Sequence, residues 1–160
     1  LFGDHVDTDA MIAAEFCHHS DPAELGPKAF LHFRPDFVVR VRSGEDIVVA
    51  GEGWGTGSSR EQAVWALRGA GVRTVIARSV AYIHKRNLVN EALPFLIVQD
   101  PEFHRTVRDG DELEVDPGAG TVKLRGSTYQ GTLPAQAMNE IIESGGLVAK
   151  MRESLDGRQF

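Results

Sequence analysis

The run Asp46-Ile47-Val48-Val49-Ala50-Gly51-Glu52-Gly53-Trp54-Gly55-Thr56-Gly57-Ser58-Ser59-Arg60-Glu61-Gln62-Ala63-Val64-Trp65-Ala66-Leu67-Arg68 decides the fold. Its first five residues are a short β-branched stretch, the pattern of a buried strand. Four glycines follow within residues 51–57, and a segment with helical apolar spacing begins at Ser58. Gly69 and Gly71 are read as ending that helix. Outward from this unit, Thr74–Ala77 reads as a second buried strand, 80–90 as a second helix and 95–98 as a third strand. Strand–helix–strand–helix–strand over so short a span predicts a parallel sheet with right-handed crossovers.

Upstream, residues 3–9 form an acidic, turn-prone loop, and 11–14 a short apolar stretch. A helix is predicted from Ser20 to about Phe30, with Asp21 as cap, Pro22 at the first position and Glu24 completing a capping box. The weak alternation of Phe37–Arg42 is read as a strand. Downstream, residues 112–115 and 121–124 flank Asp116-Pro117-Gly118-Ala119-Gly120, which predicts an antiparallel hairpin. A terminal helix is expected over 134–144, stopped by Gly145-Gly146. The expectation is one α/β domain over residues 1–160, in three layers, with a parallel core sheet and an accessory antiparallel sheet.

Composition narrows the function. The chain has 160 residues, 42% of them apolar and 25% charged, so it is neither disordered nor short of a core. Its 17 basic residues against 23 acidic ones give a net charge of −6. That balance argues against nucleic acid and against an anionic membrane surface as partner. No apolar run approaches a membrane span, and no secretory or Arg-rich leader pattern is read. The one cysteine, Cys17, permits no internal disulfide and suits a reducing, cytoplasmic setting. It also excludes a Cys-rich zinc site. An iron–sulfur cluster needs three or four thiolates, so this chain alone cannot hold one. If the chemistry requires such a cluster, another chain brings it.

The glycine loop carries the chemistry. Between a strand and a helix, glycines allow close approach of a ligand to the backbone, and the helix N-terminus favours an anion. Ser58, Ser59 and Arg60 stand at that mouth, two hydroxyls and a guanidinium suited to a carboxylate or phosphate. A plain glycine turn with a serine cap is the alternative. A P-loop fits poorly, because Gly57 takes the place of its lysine, and so does a dinucleotide fingerprint, because the second strand runs into Arg78-Ser79 rather than an acidic residue.

The segment Gly51 through Glu61 resembles the signature of the swivel domain of the aconitase superfamily. Gly3-Asp4-His5-Val6-Asp7-Thr8-Asp9 is similar to that family's Asp-Asn-Ile-Asp-Thr-Asp opening. Residues 71–79, Ile83-His84-Lys85-Arg86-Asn87-Leu88 and Ala92-Leu93-Pro94 resemble further blocks, and Gly145-Gly146-Leu147-Val148 resembles the tail of isopropylmalate isomerase small subunits. The resemblance implies a swivelling β/β/α domain on a separate chain. It pairs with a large subunit whose three cysteines hold a [4Fe–4S] cluster, and it binds no cofactor or metal itself.

The implied reaction is dehydration and rehydration of a small hydroxy di- or tricarboxylate, with isopropylmalate in leucine biosynthesis the leading case. Homoaconitate, methylmalate and dimethylmalate chemistry are alternatives, as is a non-catalytic anion-binding module. By position, Ser58 matches the catalytic base, Arg60 the carboxylate clamp and Ser59 a polar contact beside it. Thr56 and Gly57 border the substrate, and Asp9 matches an acidic residue of the site, with a turn or capping aspartate as its alternative. Glu15-Phe16-Cys17-His18-His19-Ser20 fall on the loop that selects the substrate's side group. They depart from the Arg-Tyr-Leu-like run usual there, Gly53 stands where relatives often carry Asn, and Ala13 where many carry Pro.

Among the remaining residues, the adjacent Cys17, His18 and His19 lack metal-ligand spacing. His84, three residues before Asn87, is expected to pack or cap its helix beside the site. Trp54 is expected to wall the site or anchor the loop, and Trp65 to lie in the core. A domain of this kind alone should expose an apolar face and self-associate.

Overall fold

The computed structural model describes residues 1–156. In chain order its elements are α1 (Thr8–Met11), a 3₁₀ turn (Ala14–Phe16), α2 (Pro22–Leu25), a second 3₁₀ turn (Gly26–Lys28), α3 (Phe37–Arg42), β1 (Ile47–Ala50), α4 (Glu61–Ala70) and β2 (Thr74–Ala77). Then come α5 (Tyr82–Asn90), β3 (Phe95–Ile97), α6 (Pro101–Thr106), β4 (Leu113–Asp116), β5 (Thr121–Leu124), β6 (Ser127–Gln130), α7 (Gln136–Glu143) and α8 (Leu147–Asp156). Among the described residues no helix is long and apolar enough to cross a membrane.

The expected parallel sheet is present in the order β1-β2-β3, with Val48 opposite Val75 and Ile76 opposite Leu96. Its strands are apolar on both faces, and the two-residue period sorts them. Val48, Ala50, Val75, Ala77 and Phe95 face α4, α5 and the N-terminal aromatic residues. Val49, Ile76 and Leu96 face the other way, against Val122, Leu124 and Tyr129 of the second sheet and Phe103 of α6. That sheet is antiparallel, β4-β5-β6, with Val115 opposite Val122 in the predicted hairpin. The three layers are therefore helices, parallel sheet and antiparallel sheet. Reciprocal Ile97–Thr132 backbone bonds at 3.2 and 2.7 Å join the two sheets.

Several expectations need correction. Phe37–Arg42 is a helix, not a strand. Its Phe37 and Val41, one turn apart, are buried in a cluster with Phe2 and Phe30, while Val39 faces solvent. The same six residues satisfy both periods, and the aromatic cluster selects the helical one. Residues 20–30 give only one α turn and a 3₁₀ turn. Asp21 caps it by accepting from Ala23 N–H, but Glu24 pairs with His19 instead of closing a box. Helix α4 begins at Glu61, with Arg60 as its N-cap residue, so both serines precede it. Gly69 lies inside α4, and Gly71, left-handed at φ 106°, ends it. Trp65 is half-buried rather than core. Helices α6 and α8 and strand β6 lie outside the sequence expectation.

Gly69 has a packing role. A Cβ there would meet the Pro22 carbonyl oxygen at 1.8 Å, and one on Gly26 would meet the Gly69 carbonyl carbon at 2.2 Å. Helices α2 and α4 thus touch backbone to backbone, and neither contact is with a flexible side chain that could yield. Gly69→Ala is expected to destabilise the chain by at least about 2 kcal/mol, lowering the melting temperature by roughly 4–8 °C in a thermal melt.

Candidate functional site

The glycine loop leaves the C-terminal end of β1 and enters α4, the position where open α/β sheets bind ligands. Two neighbouring segments hold it by backbone hydrogen bonds. On one side Gly55 N–H donates to Val6 O at 2.9 Å and Thr8 N–H to Thr56 O at 2.9 Å. On the other, Trp54 N–H donates to Ser79 O at 3.0 Å, Ala81 N–H to Trp54 O at 2.8 Å, and Gly53 N–H to the Ser79 hydroxyl at 2.8 Å. The loop is thus the middle segment of a small bridged ribbon.

Beneath it lie Trp54 and His84. Trp54 is fully buried and meets Phe2 and His84 edge-on. It anchors the loop and does not wall a cavity. Gly55 has φ 76°, and a Cβ there would sit 2.2 Å from His84 Cγ, so both the backbone angle and the His84 ring exclude other residues. His84 is 1% exposed, and neither ring nitrogen has a hydrogen-bond partner among the described residues. Burial therefore lowers its pKa to about 4 and keeps it neutral.

The predicted site residues come together at the mouth of the loop. Ser58 and Ser59 are exposed. Ser58 is pinned through its carbonyl, which accepts from the buried Thr8 hydroxyl at 2.9 Å, and its side chain is exposed. Arg60 is largely buried, forms an ion pair with Asp9 and donates to Ile12 O at 3.2 Å. Both contacts use Nη1, which leaves the Nε/Nη2 edge of the guanidinium for a bidentate anion. The acidic Asp9 is thus a partner of the arginine, placed by one-turn helix α1, whose cap Asp7 accepts from Ala10 N–H at 2.7 Å. Thr56 and Gly57 carry the backbone between Trp54 and the serines.

Residues 15–20 form a separate cluster tied to the same helix. Gln62, two residues past Arg60, donates to Cys17 O at 3.3 Å. The Cys17 thiol points back to Ala13 O at 3.7 Å. Glu15 pairs with His32 at 2.7 Å, His19 with Glu24 at 2.8 Å, and Phe16 stacks on His32. His18 contacts Glu15 O, and Ser20 adjoins the Asp21 cap. These groups are spent on one another, and among the described residues no set of three His, Cys, Asp or Glu side chains could hold a metal ion. The donor set does not fit an iron–sulfur cluster on this chain.

Two clefts of about 490 and 640 Å³ lie beside the N-terminal ends of the strands, around Phe37, Asp109 and Ile47 and around Thr74, Phe95 and Ile142. Neither is lined by Ser58, Ser59 or Arg60, and both serines stand exposed at the surface. Thr8 and Gln62 escape sequence reasoning, because nothing in their local sequence announces which backbone carbonyl each will find.

The His84 environment fixes a pH dependence. Neutral in the fold and protonated near pH 6.5 when unfolded, it contributes stability that is complete above about 6.5 and is lost as pH falls toward about 4. Urea midpoints should show about 2 kcal/mol of such loss between pH 7 and pH 5. His84→Leu should remove that component.

Comparison with known proteins places this geometry. Residues 33–100 match the model of the aconitase C-terminal domain. A 3-isopropylmalate dehydratase small subunit of Methanosarcina mazei is 43% identical over 98% of this chain and 96% of its own length. That of Wolinella succinogenes is 45% identical over 92% and 87%. The crystal structure of a 3-isopropylmalate dehydratase from Methanocaldococcus jannaschii superposes with a TM-score of 0.87 at 36% identity, covering 98% of this chain and 93% of the other. The chain belongs to the 3-isopropylmalate dehydratase small-subunit family of the aconitase superfamily.

Proposed function

We propose that this chain is the small subunit of a 3-isopropylmalate dehydratase, interconverting 2- and 3-isopropylmalate in leucine biosynthesis when joined to its large subunit. The observation that carries the catalytic reading is an exposed Ser58 two residues before an Arg60 whose contacts to Asp9 and the Ile12 carbonyl use Nη1 alone. Relatives named as small subunits support the large-subunit partner. The [4Fe–4S] cluster is assigned to that partner, where it would act as Lewis acid on the substrate hydroxyl. The single cysteine fits a reducing, cytoplasmic compartment.

In this reading Ser58 Oγ takes the proton from the carbon α to a carboxylate. A free serine hydroxyl is a weak base, so its anion must be stabilised where it stands. The first amide N–H groups of α4 have no intrahelical acceptor, and the Arg60 cation lies beside them. Arg60 meanwhile holds a substrate carboxylate by two parallel bonds, fixing the α-carbon relative to the serine. Asp9 and the Ile12 carbonyl hold the guanidinium in register before substrate arrives. Ser59, Thr56 and Gly57 offer further polar contacts along the loop. Residues 15–20, tied to α4 through Gln62, take the variable side group.

The test is reconstitution with a cluster-loaded large subunit and an absorbance assay for the unsaturated intermediate over a panel of malate derivatives. Turnover with isopropylmalate is expected, and carboxylate binding with no turnover alongside any such partner would favour the anion-binding module. Ser58→Ala should lower kcat by about 10³-fold while the complex still forms. Arg60→Lys, which keeps the charge and loses the fork, should raise KM by 10-fold or more. Asp9→Asn should raise KM less than Arg60→Lys does.

A further inference from the structure

We propose that Tyr82 and Ile83, the first two residues of α5, are an anchor by which the cluster-bearing large subunit seats on the glycine-loop face. This rests on the functional reading above. A first helical turn ordinarily carries polar or acidic side chains, which complement its free N–H groups. Here Tyr82 is 73% and Ile83 48% exposed. Neither exposure serves the fold, because α5 is held from its other side by the buried His84, Asn87, Leu88 and Val89.

Position makes the pair specific to this partner. The residue before it, Ala81, is bonded to Trp54 of the loop, and Gly55 rests on His84 in the same turn of α5. Chain lengths then bound the Ser58–Tyr82 Cα separation at roughly 22 Å. Ser58 and Ser59 are exposed, and no metal-binding set exists among the described residues. A partner that brings the Lewis acid must therefore cover Ser58 to within about one small substrate. A standard interface buries about 800 Å² on each side, a disc about 30 Å across, wide enough to span Ser58 and the start of α5 together. Tyrosine is a favoured anchor residue, presenting a large rigid ring with a polar tip, and Arg86 one turn on supplies a charged rim. Another exposed apolar stripe, Val148, Met151 and Leu155 on α8, starts at the opposite end of α5, where Gly146 abuts the Asn90 carbonyl.

The experiment uses the full chain and a cluster-loaded 3-isopropylmalate dehydratase large subunit. The dissociation constant is read by sedimentation velocity, and kcat at saturating partner. Tyr82→Ala and Ile83→Asp should each weaken the complex at least tenfold with kcat at saturation unchanged. Ile83→Asp places an acid in the first turn of α5, where it favours the helix, so it guards against misfolding as the cause. Met151→Glu should leave the dissociation constant within twofold. Wild-type affinity in both α5 variants, or an effect confined to self-association of the isolated chain, would overturn the proposal and leave the functional reading intact. Failure of the wild-type chain to pair with any cluster-bearing large subunit would overturn that reading and the proposal together.

Discussion

The backbone of Gly55 lies directly on the buried ring of His84, with the edge of Trp54 completing the contact. That contact sets the height of the loop above α5. From it follow the bridges to Val6 and Ser79, the Thr8 bond to Ser58 O, and the angle at which the chain enters α4. The arrangement is held by backbone bonds, buried rings and the short hydroxyls of Thr8 and Ser79. It is also unusual in polarity, since Trp54 Nε1, both ring nitrogens of His84 and Asn87 Nδ2 are buried without protein partners. The loop thus rests on uncharged groups, while cations flank it at either end, Arg78 beside Glu52 and Arg60 beside Asp9.

Each level of the fold serves that mouth. The two-residue period of the strands assigns one face to the helices and the other to the antiparallel sheet, so α4 and α5 lie on the same side and their N-termini flank the loop. The glycine pair at positions 26 and 69 lets α2 approach α4, which brings residues 15–20 within reach of Gln62. Asp9 reaches Arg60 because Asp7 starts a single helical turn there. The site is assembled from three chain segments, each tied by side-chain bonds to backbone groups or by the Asp9–Arg60 pair.

Much of this was legible in the sequence. The β1–loop–α4 unit, the parallel sheet and the β4–β5 hairpin follow from apolar period and turn residues. Ser58, Ser59 and Arg60 are marked by their place after the glycines and Asp9 by the family resemblance of residues 3–9, and the structure does bring Arg60 and Asp9 together. Phe37–Arg42 was misread because β-branched residues satisfied two periods at once, and only the distant Phe2 and Phe30 settle which. Trp65 was read as core from type alone, although its place on α4 leaves it half-exposed. The Thr8 and Gln62 bonds join residues 50 and 45 positions apart, and local pattern carries no such information.

The clefts lie at the wrong end of the molecule for chemistry at Ser58. They open beside the first residues of β1, β2 and β3, whereas the serine stands beyond the last residue of β1. A compound screen run on the isolated chain would be drawn to those volumes, and its hits would sit where they leave Arg60 untouched. In the proposed assembly, inhibitors of chemistry at Ser58 are better sought against the pair, where the large subunit would cover the exposed serines.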